Sequence, residues 1–182
     1  MQKFVCNPDF ITNVCHGRCC DGGGQTTLIS LLPEEEGYQR DLGVTVENSK
    51  ICANEQTKKC PHKKDNGLCG LHITGEKPFG CIVSPFKVNS NNTLILRHRY
   101  ILMPCHKFAK EKSIGQEGVD YAYNIFKEGL IKIFGVENTE SIIKRLEAGE
   151  DDIVYQMDKG IYDKLNYLEI IKRKREEKEK CN

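Results

Sequence analysis

Cysteine is concentrated in one part of this 182-residue chain. Nine of its ten cysteines lie within the first 105 residues, and none lies between residues 106 and 180. Such a density of thiols is typical of a scaffold that disulfides or bound metal hold together. The cysteine-rich part is therefore expected to fold around links between distant sulfur atoms. The cysteines occupy positions 6, 15, 19, 20, 52, 60, 69, 81, 105 and 181.

The sequence favours bound metal over disulfide bonds. Residues 1–10 have neither the basic nor the apolar segment of a secretory signal, and no run approaches the roughly 18 apolar residues of a membrane span. We therefore expect a cytoplasmic protein whose thiols stay reduced and available to a metal. Disulfides and unrelated free thiols are the alternatives. Four of the five histidines also lie near a cysteine in sequence: His16, His62, His72 and His106.

The charge balance argues against one class of partner. The chain has 27 Lys and Arg against 26 Asp and Glu, whereas a dedicated nucleic-acid binder shows a clear basic excess. The charged end at residues 172–180 mixes both signs, which is typical of a solvated helix end rather than a phosphate-binding patch. A protein partner or a small-molecule substrate of unidentified kind is expected, with no membrane and no nucleic acid.

The hydrophobic pattern predicts an α+β fold. We expect a small, loop-rich, metal-organised cysteine domain with short strands over residues 1–108, then a helical region with a charged tail over 109–182. Pro33 and the three glutamates after it are typical of a helix start, and this helix is predicted to stop by Gly43. Further helices are predicted at 114–134, 139–146 and 161–171. Strands are predicted at 26–32, 82–83, 86–88 and 94–103, with a turn at 89–92.

The first three clustered cysteines restrict the local backbone. Cys15 and Cys19 are four residues apart, so a helical turn would place both on one face, and Gly17 allows a tighter or left-handed turn. Adjacent side chains such as Cys19 and Cys20 diverge in extended backbone. Both reach one metal only in a tight turn; otherwise they serve two sites, or one is a spare thiol.

Spacing alone does not identify the metal. The chain has no C-x2-C pair, which excludes zinc ribbons, classical zinc fingers and thioredoxin-type redox pairs as simple interpretations. An all-thiolate zinc site and a [4Fe–4S] cluster both need four cysteines. His72, three residues after Cys69, could replace a thiolate, although a hydrogen-bonded loop histidine is the more common case.

Three segments resemble a known family: Cys15-x3-Cys19-Cys20, Cys60-Pro61-x7-Cys69 and Lys77-Pro78-x2-Cys81. Over residues 15–105 they are similar to the CxxCxxCC cysteine-cluster family of zinc- or iron-chelating proteins. Lys77 and Ile82 stand where arginine is common in that family. The literal C-x-x-C-C step is also not met, because His16 occupies that position. Either Cys15 reaches in by one residue or His16 is a ligand, and we favour Cys15.

The resemblance implies a metal or iron–sulfur protein, and flagellin lysine methylases carry a similar cysteine domain. We expect a [4Fe–4S] cluster, with Zn²⁺ as the alternative, and a redox or group-transfer role. A zinc-shaped interaction module and a metal carrier are the competing functions, and whether the protein is an enzyme stays open. Cys6 is interpreted as a small buried hydrophobe, Cys52 is left open, and Cys181 is expected to be uninvolved. The predicted ligands are Cys15, Cys19, Cys20, Cys60, Cys69, Cys81 and Cys105.

Overall fold

The structure, a computed structural model, describes residues 2–21, 25–88, 94–149 and Tyr167. Strands in these residues are Lys3–Val5 (β1), Thr27–Ser30 (β2), Val46–Glu47 (β3), Lys50–Cys52 (β4), Phe86–Val88 (β5), Leu94–Leu96 (β6) and Val119–Tyr121 (β7). Helices are Pro8–Phe10 (α1), Pro33–Asp41 (α2), Gly70–Thr74 (α3), Phe79–Ile82 (α4), His98–Ile101 (α5), Pro104–Lys110 (α6), Ala122–Ile125 (α7), Lys127–Phe134 (α8) and Val136–Glu147 (α9).

Short antiparallel strands and short helices give an α+β fold, as predicted. β1 pairs with β7, so that Val5 lies opposite Val119, although 114 positions separate them in sequence. β4 pairs with both β2 and β3, and β5 pairs with β6. The pairing of β1 with β7 matters most for the cysteines, because it anchors the chain one residue before Cys6.

Several predicted elements are confirmed. β2 lies within the predicted strand at 26–32, and α2 begins at Pro33 and ends before Gly43. The first turn of α2 is closed by Glu35, whose Oε2 accepts the Leu32 N–H at 2.8 Å. β5 and β6 pair as predicted. The predicted turn at 89–92 and the predicted helix at 161–171, except Tyr167, lie outside the described residues.

Three predicted elements are wrong in part. Ile82 ends helix α4 rather than lying in a strand, and α5 occupies most of the segment predicted to continue strand 94–103. Strand β7 occupies part of the predicted helix at 114–134, and α-helical structure begins only after it, at α7. The apolar spacing there fits a helix, but pairing with β1 overrides that preference.

The main core joins residues from both sides of position 108. Leu32, Phe79 and Val83 pack with Leu130 and Ile133 of α8 in one apolar cluster. Residues on the two sides of the predicted boundary therefore pack on each other in the described part, and the division into two domains stays a prediction. None of the described helices has both the length and the apolar character that crossing a membrane requires.

Candidate metal centre

The segment around Cys15–Cys20 turns sharply. A π-helical turn, Ile11–Cys15, leads into left-handed backbone at His16 and Gly17, and a 3₁₀ turn follows at Arg18–Cys20. The left-handed Gly17 agrees with the prediction. A Cβ on Gly17 would lie 2.2 Å from the Gly67 carbonyl oxygen, so only glycine permits this approach. The turn therefore packs backbone to backbone against the loop that carries Cys60 and Cys69.

Backbone hydrogen bonds fix that loop beside Cys20. The Cys60 N–H donates to the Cys20 carbonyl at 3.1 Å, and the Gly70 N–H donates to the His62 carbonyl at 2.8 Å. The Lys63 ammonium, whose side chain is buried, pairs with the Asp21 carboxylate. Because Asp21 follows Cys20 directly, these bonds hold Cys20, Cys60 and Cys69 in one region.

Helix α2 brings Cys81 to the same region. Glu35 Oε1 accepts the Phe79 N–H at 2.6 Å, which fixes the start of α4, the helix that contains Cys81. One turn later along α2, the buried Gln39 Oε1 accepts a hydrogen bond from His62 Nε2 at 2.7 Å. One face of α2 therefore holds both α4 and the loop after Cys60. We call Cys20, Cys60, Cys69 and Cys81 the loop-side group.

Thiols of the loop-side group act on one another electrostatically. Burial, followed by the charges of Cys60 and Cys69, raises the pKa of Cys81. Burial also raises the pKa of Cys60, while the His62 and Lys63 backbone N–H groups donate to its sulfur and oppose the rise. Backbone donors of this kind stabilise a thiolate when it becomes a metal ligand.

A second set of cysteines lies beside strand β1 and helix α6. Cys15 and Cys105 pack against one small apolar cluster, which includes Val5 of β1 and Ala109 of α6. Cys6 directly follows β1, and His106 Nδ1 ties α6 to β1 by donating to the Lys3 carbonyl at 2.9 Å. Cys19 is included because the tight turn connects it to Cys15. We call Cys6, Cys15, Cys19 and Cys105 the strand-side group.

The strand-side thiols also affect one another's pKa values. Burial, followed by the charges of Cys19 and Cys15, raises the pKa of Cys6 to about 11. Although Cys6 as a residue is exposed, protein atoms around its thiol remove part of its hydration. Burial and the charges of Cys6 and Cys15 raise the pKa of Cys105 to about 12. The packing of Cys15 and Cys105 on one cluster with Val5, the residue before Cys6, places the three cysteines in one region.

Cys19 lies where the two groups meet. Its sulfur is 3.9 Å from that of Cys20. The Cys20 hydrogen bond, together with the positive charges of Lys77 and Arg99, lowers the pKa of Cys19 to about 6 despite partial burial. The same hydrogen bond raises the pKa of Cys20, with burial as the next cause. Cys19 is therefore the thiolate of this adjacent pair.

Lys77 serves both groups. Its positive charge opposes the rise in the pKa of Cys6 and Cys81 and contributes to the lowered pKa of Cys19. One lysine therefore offsets negative charge in both groups.

All seven predicted ligands lie in these two groups. Cys6 also belongs to them, and the sequence analysis missed it because its neighbours come from β1, β7 and α6, which pair only in the fold. Cys52 lies apart, since the carboxylate that raises its pKa, after burial, is Glu47. His16 and His72 are exposed residues. Cys181 lies outside the described residues.

The donors in the described residues do not form a single-ion site. In the part of the chain that the structure describes, no three or more His, Cys, Asp or Glu side chains are close enough to hold one metal ion. A tetrahedral zinc site with Zn–S bonds of about 2.3 Å places its sulfurs about 3.8 Å apart. Cys19 and Cys20 have that separation, but they are only two donors.

Comparison with known proteins adds no relative. No family model, no curated protein and no solved structure matches this chain.

Proposed function

We propose that this protein binds a [4Fe–4S] cluster through the thiolates of the loop-side group. The observation that carries the proposal is the convergence of four cysteines from three distant segments, which backbone bonds and two hydrogen bonds to α2 hold together. Cys20 comes from the tight turn, Cys60 and Cys69 from the loop, and Cys81 from α4. Four thiolates are the donor set of such a cluster.

The surroundings of the loop-side group also suit bound thiolates. Four thiolates leave a net negative charge on the centre, which nearby cations and amide donors must compensate. Lys77 supplies a positive charge near Cys81, and the His62 and Lys63 amides donate to the Cys60 sulfur. When bound, the cluster would supply one-electron redox chemistry. The residues of this chain would hold it, orient it and screen its charge.

Metal analysis after anaerobic purification tests the proposal. The protein is expected to be brown, with at least about four iron atoms and as many sulfides per chain. The variant Cys60→Ser/Cys69→Ser is expected to lose about four of each, because two of the four donors are gone. Cys52→Ser is the matched control and is expected to keep the full content, since Cys52 lies beside Glu47 and apart from the group.

Zinc is the second candidate, because the Cys19–Cys20 separation of 3.9 Å equals that in a zinc site. A colourless protein that holds one or two zinc ions tightly, without iron or sulfide, would overturn the cluster proposal in its favour.

A further inference from the structure

The loop-side group leaves four clustered cysteines without a role. Cys15 and Cys105 lie against the same apolar cluster, and β1 delivers Cys6 to it. The β1–β7 pairing and the His106–Lys3 hydrogen bond hold that end of β1 in place. Three cysteines that lie up to 99 positions apart in sequence are thereby brought to the region of β1 and α6.

Cys19 is the fourth donor available to them. The tight turn places Cys15 and Cys19 near each other, and the adjacent Cys20 belongs to the loop-side group through its backbone bond to Cys60. Consecutive cysteines that serve two sites are one of the alternatives that spacing alone leaves open. The positions of Cys6 and Cys105 favour two separate sites, because with Cys15 and Cys19 they make a set of four thiolate donors that does not include Cys20.

We propose that Cys6, Cys15, Cys19 and Cys105 form a second four-thiolate site, which takes a second [4Fe–4S] cluster beside the first. This assignment rests on the proposed function of the loop-side group, because both sites use the same chemistry. Ferredoxins with two clusters likewise divide closely spaced cysteines between neighbouring clusters.

Two clusters bound through consecutive residues would be close enough to interact magnetically. Dithionite, a one-electron donor, would add one electron to each cluster. The two unpaired spins would then couple, and the electron paramagnetic resonance (EPR) spectrum would be broadened and split. A protein with one cluster gives an uncoupled spectrum, so the spectrum reports the number of sites independently of the iron content.

Iron and sulfide counts on four anaerobically purified proteins test the second site. We expect about eight iron atoms per chain in the natural protein and in Cys52→Ser. We expect about four in Cys6→Ser/Cys105→Ser and about four in Cys60→Ser/Cys69→Ser, each with an uncoupled EPR spectrum. If Cys6→Ser/Cys105→Ser does not fold, as judged by circular dichroism, Cys6→Ala gives the same test, since Cys6 is exposed and outside the apolar cluster.

The outcomes separate the two proposals. About four iron atoms in the natural protein, retained in Cys6→Ser/Cys105→Ser and lost in Cys60→Ser/Cys69→Ser, would overturn the second site and leave the first. Iron absent from every protein would overturn both. Eight iron atoms that fall to four in both double variants, with loss of the coupled spectrum, would support both.

Discussion

The two cysteine groups are held by different kinds of interaction. The strand-side group lies against packed apolar side chains, including Val5 and Ala109, which are fully buried. In the loop-side group, Cys81 lies on α4, which packs in the main core through Phe79. The other three cysteines depend on polar contacts: backbone hydrogen bonds between loops, the Lys63–Asp21 ion pair, and the His62–Gln39 hydrogen bond to α2. Apolar packing is independent of bound metal, whereas a loop with few apolar contacts gains its order from the groups it binds.

The strand-side group and the loop-side group are therefore expected to respond differently to the removal of bound metal. The strand-side cysteines are positioned by β1, β7 and α6, whose packing does not involve sulfur ligation. The segment from Lys59 to Cys69 has no regular secondary structure apart from isolated bridges. For that segment, the proposed cluster would supply a large part of the folding free energy.

Metal removal gives the largest expected contrast. After chelation under reducing conditions, amide hydrogen exchange in residues 59–70 is expected to accelerate by at least about a hundred-fold, because a structural metal contributes about 10 kcal/mol or more to the folding of small sites. Exchange in β1 and α6 is expected to change by less than about ten-fold. Mass spectrometry of peptides before and after chelation measures both. Equal acceleration in the two regions would contradict the contrast.

Residue types alone predict seven of the eight cysteines in the two groups, but not how they divide between the groups. The density of cysteines and the turn at Gly17 follow from residue type, because glycine tolerates left-handed backbone. The short helices α4 and α5 have four residues each, too few for a periodic apolar pattern. Cys6 was missed for a different reason: its partners come from β7 and α6, and only tertiary pairing brings them together.

The contact between the two regions gives the next prediction. Gly17→Ala is expected to destabilise the protein by at least about 3 kcal/mol. Left-handed backbone costs an L residue about 1–2 kcal/mol, and the new Cβ would meet the Gly67 oxygen at 2.2 Å. Urea denaturation of the metal-loaded protein measures the loss, and iron analysis is expected to show a loss from the loop-side group.

Gly43→Ala is the matched control for this change. Gly43 has a φ of +76°, close to the +61° of Gly17, but a Cβ there would meet nothing within 4 Å. It is expected to lose only the backbone contribution of about 1–2 kcal/mol and to keep its iron. If the two variants were equally stable, the backbone contact between the turn and the loop would not hold the regions together.

The smallest contrast concerns reactivity within the strand-side group. In the metal-free protein at pH 7, iodoacetamide is expected to modify Cys19 about fifty times faster than Cys6. A pKa of about 6 leaves Cys19 mostly thiolate, whereas a pKa of about 11 leaves Cys6 almost entirely protonated. The ratio of thiolate fractions, about 10⁴, is reduced because a less basic thiolate is intrinsically a weaker nucleophile.

The pH profile makes this prediction specific. Because the Cys19 pKa is lowered, its rate is expected to be flat between pH 7 and 9 and to fall about ten-fold per unit below pH 6. Cys6 provides the internal control, since its rate is expected to rise throughout pH 7–10. Lys77→Gln removes a positive charge that lowers the Cys19 pKa, so the profile is expected to move to higher pH. Peptide mass spectrometry measures each rate, and a Cys19 rate that climbs steadily through pH 9 would show that neither Cys20 nor Lys77 stabilises its thiolate.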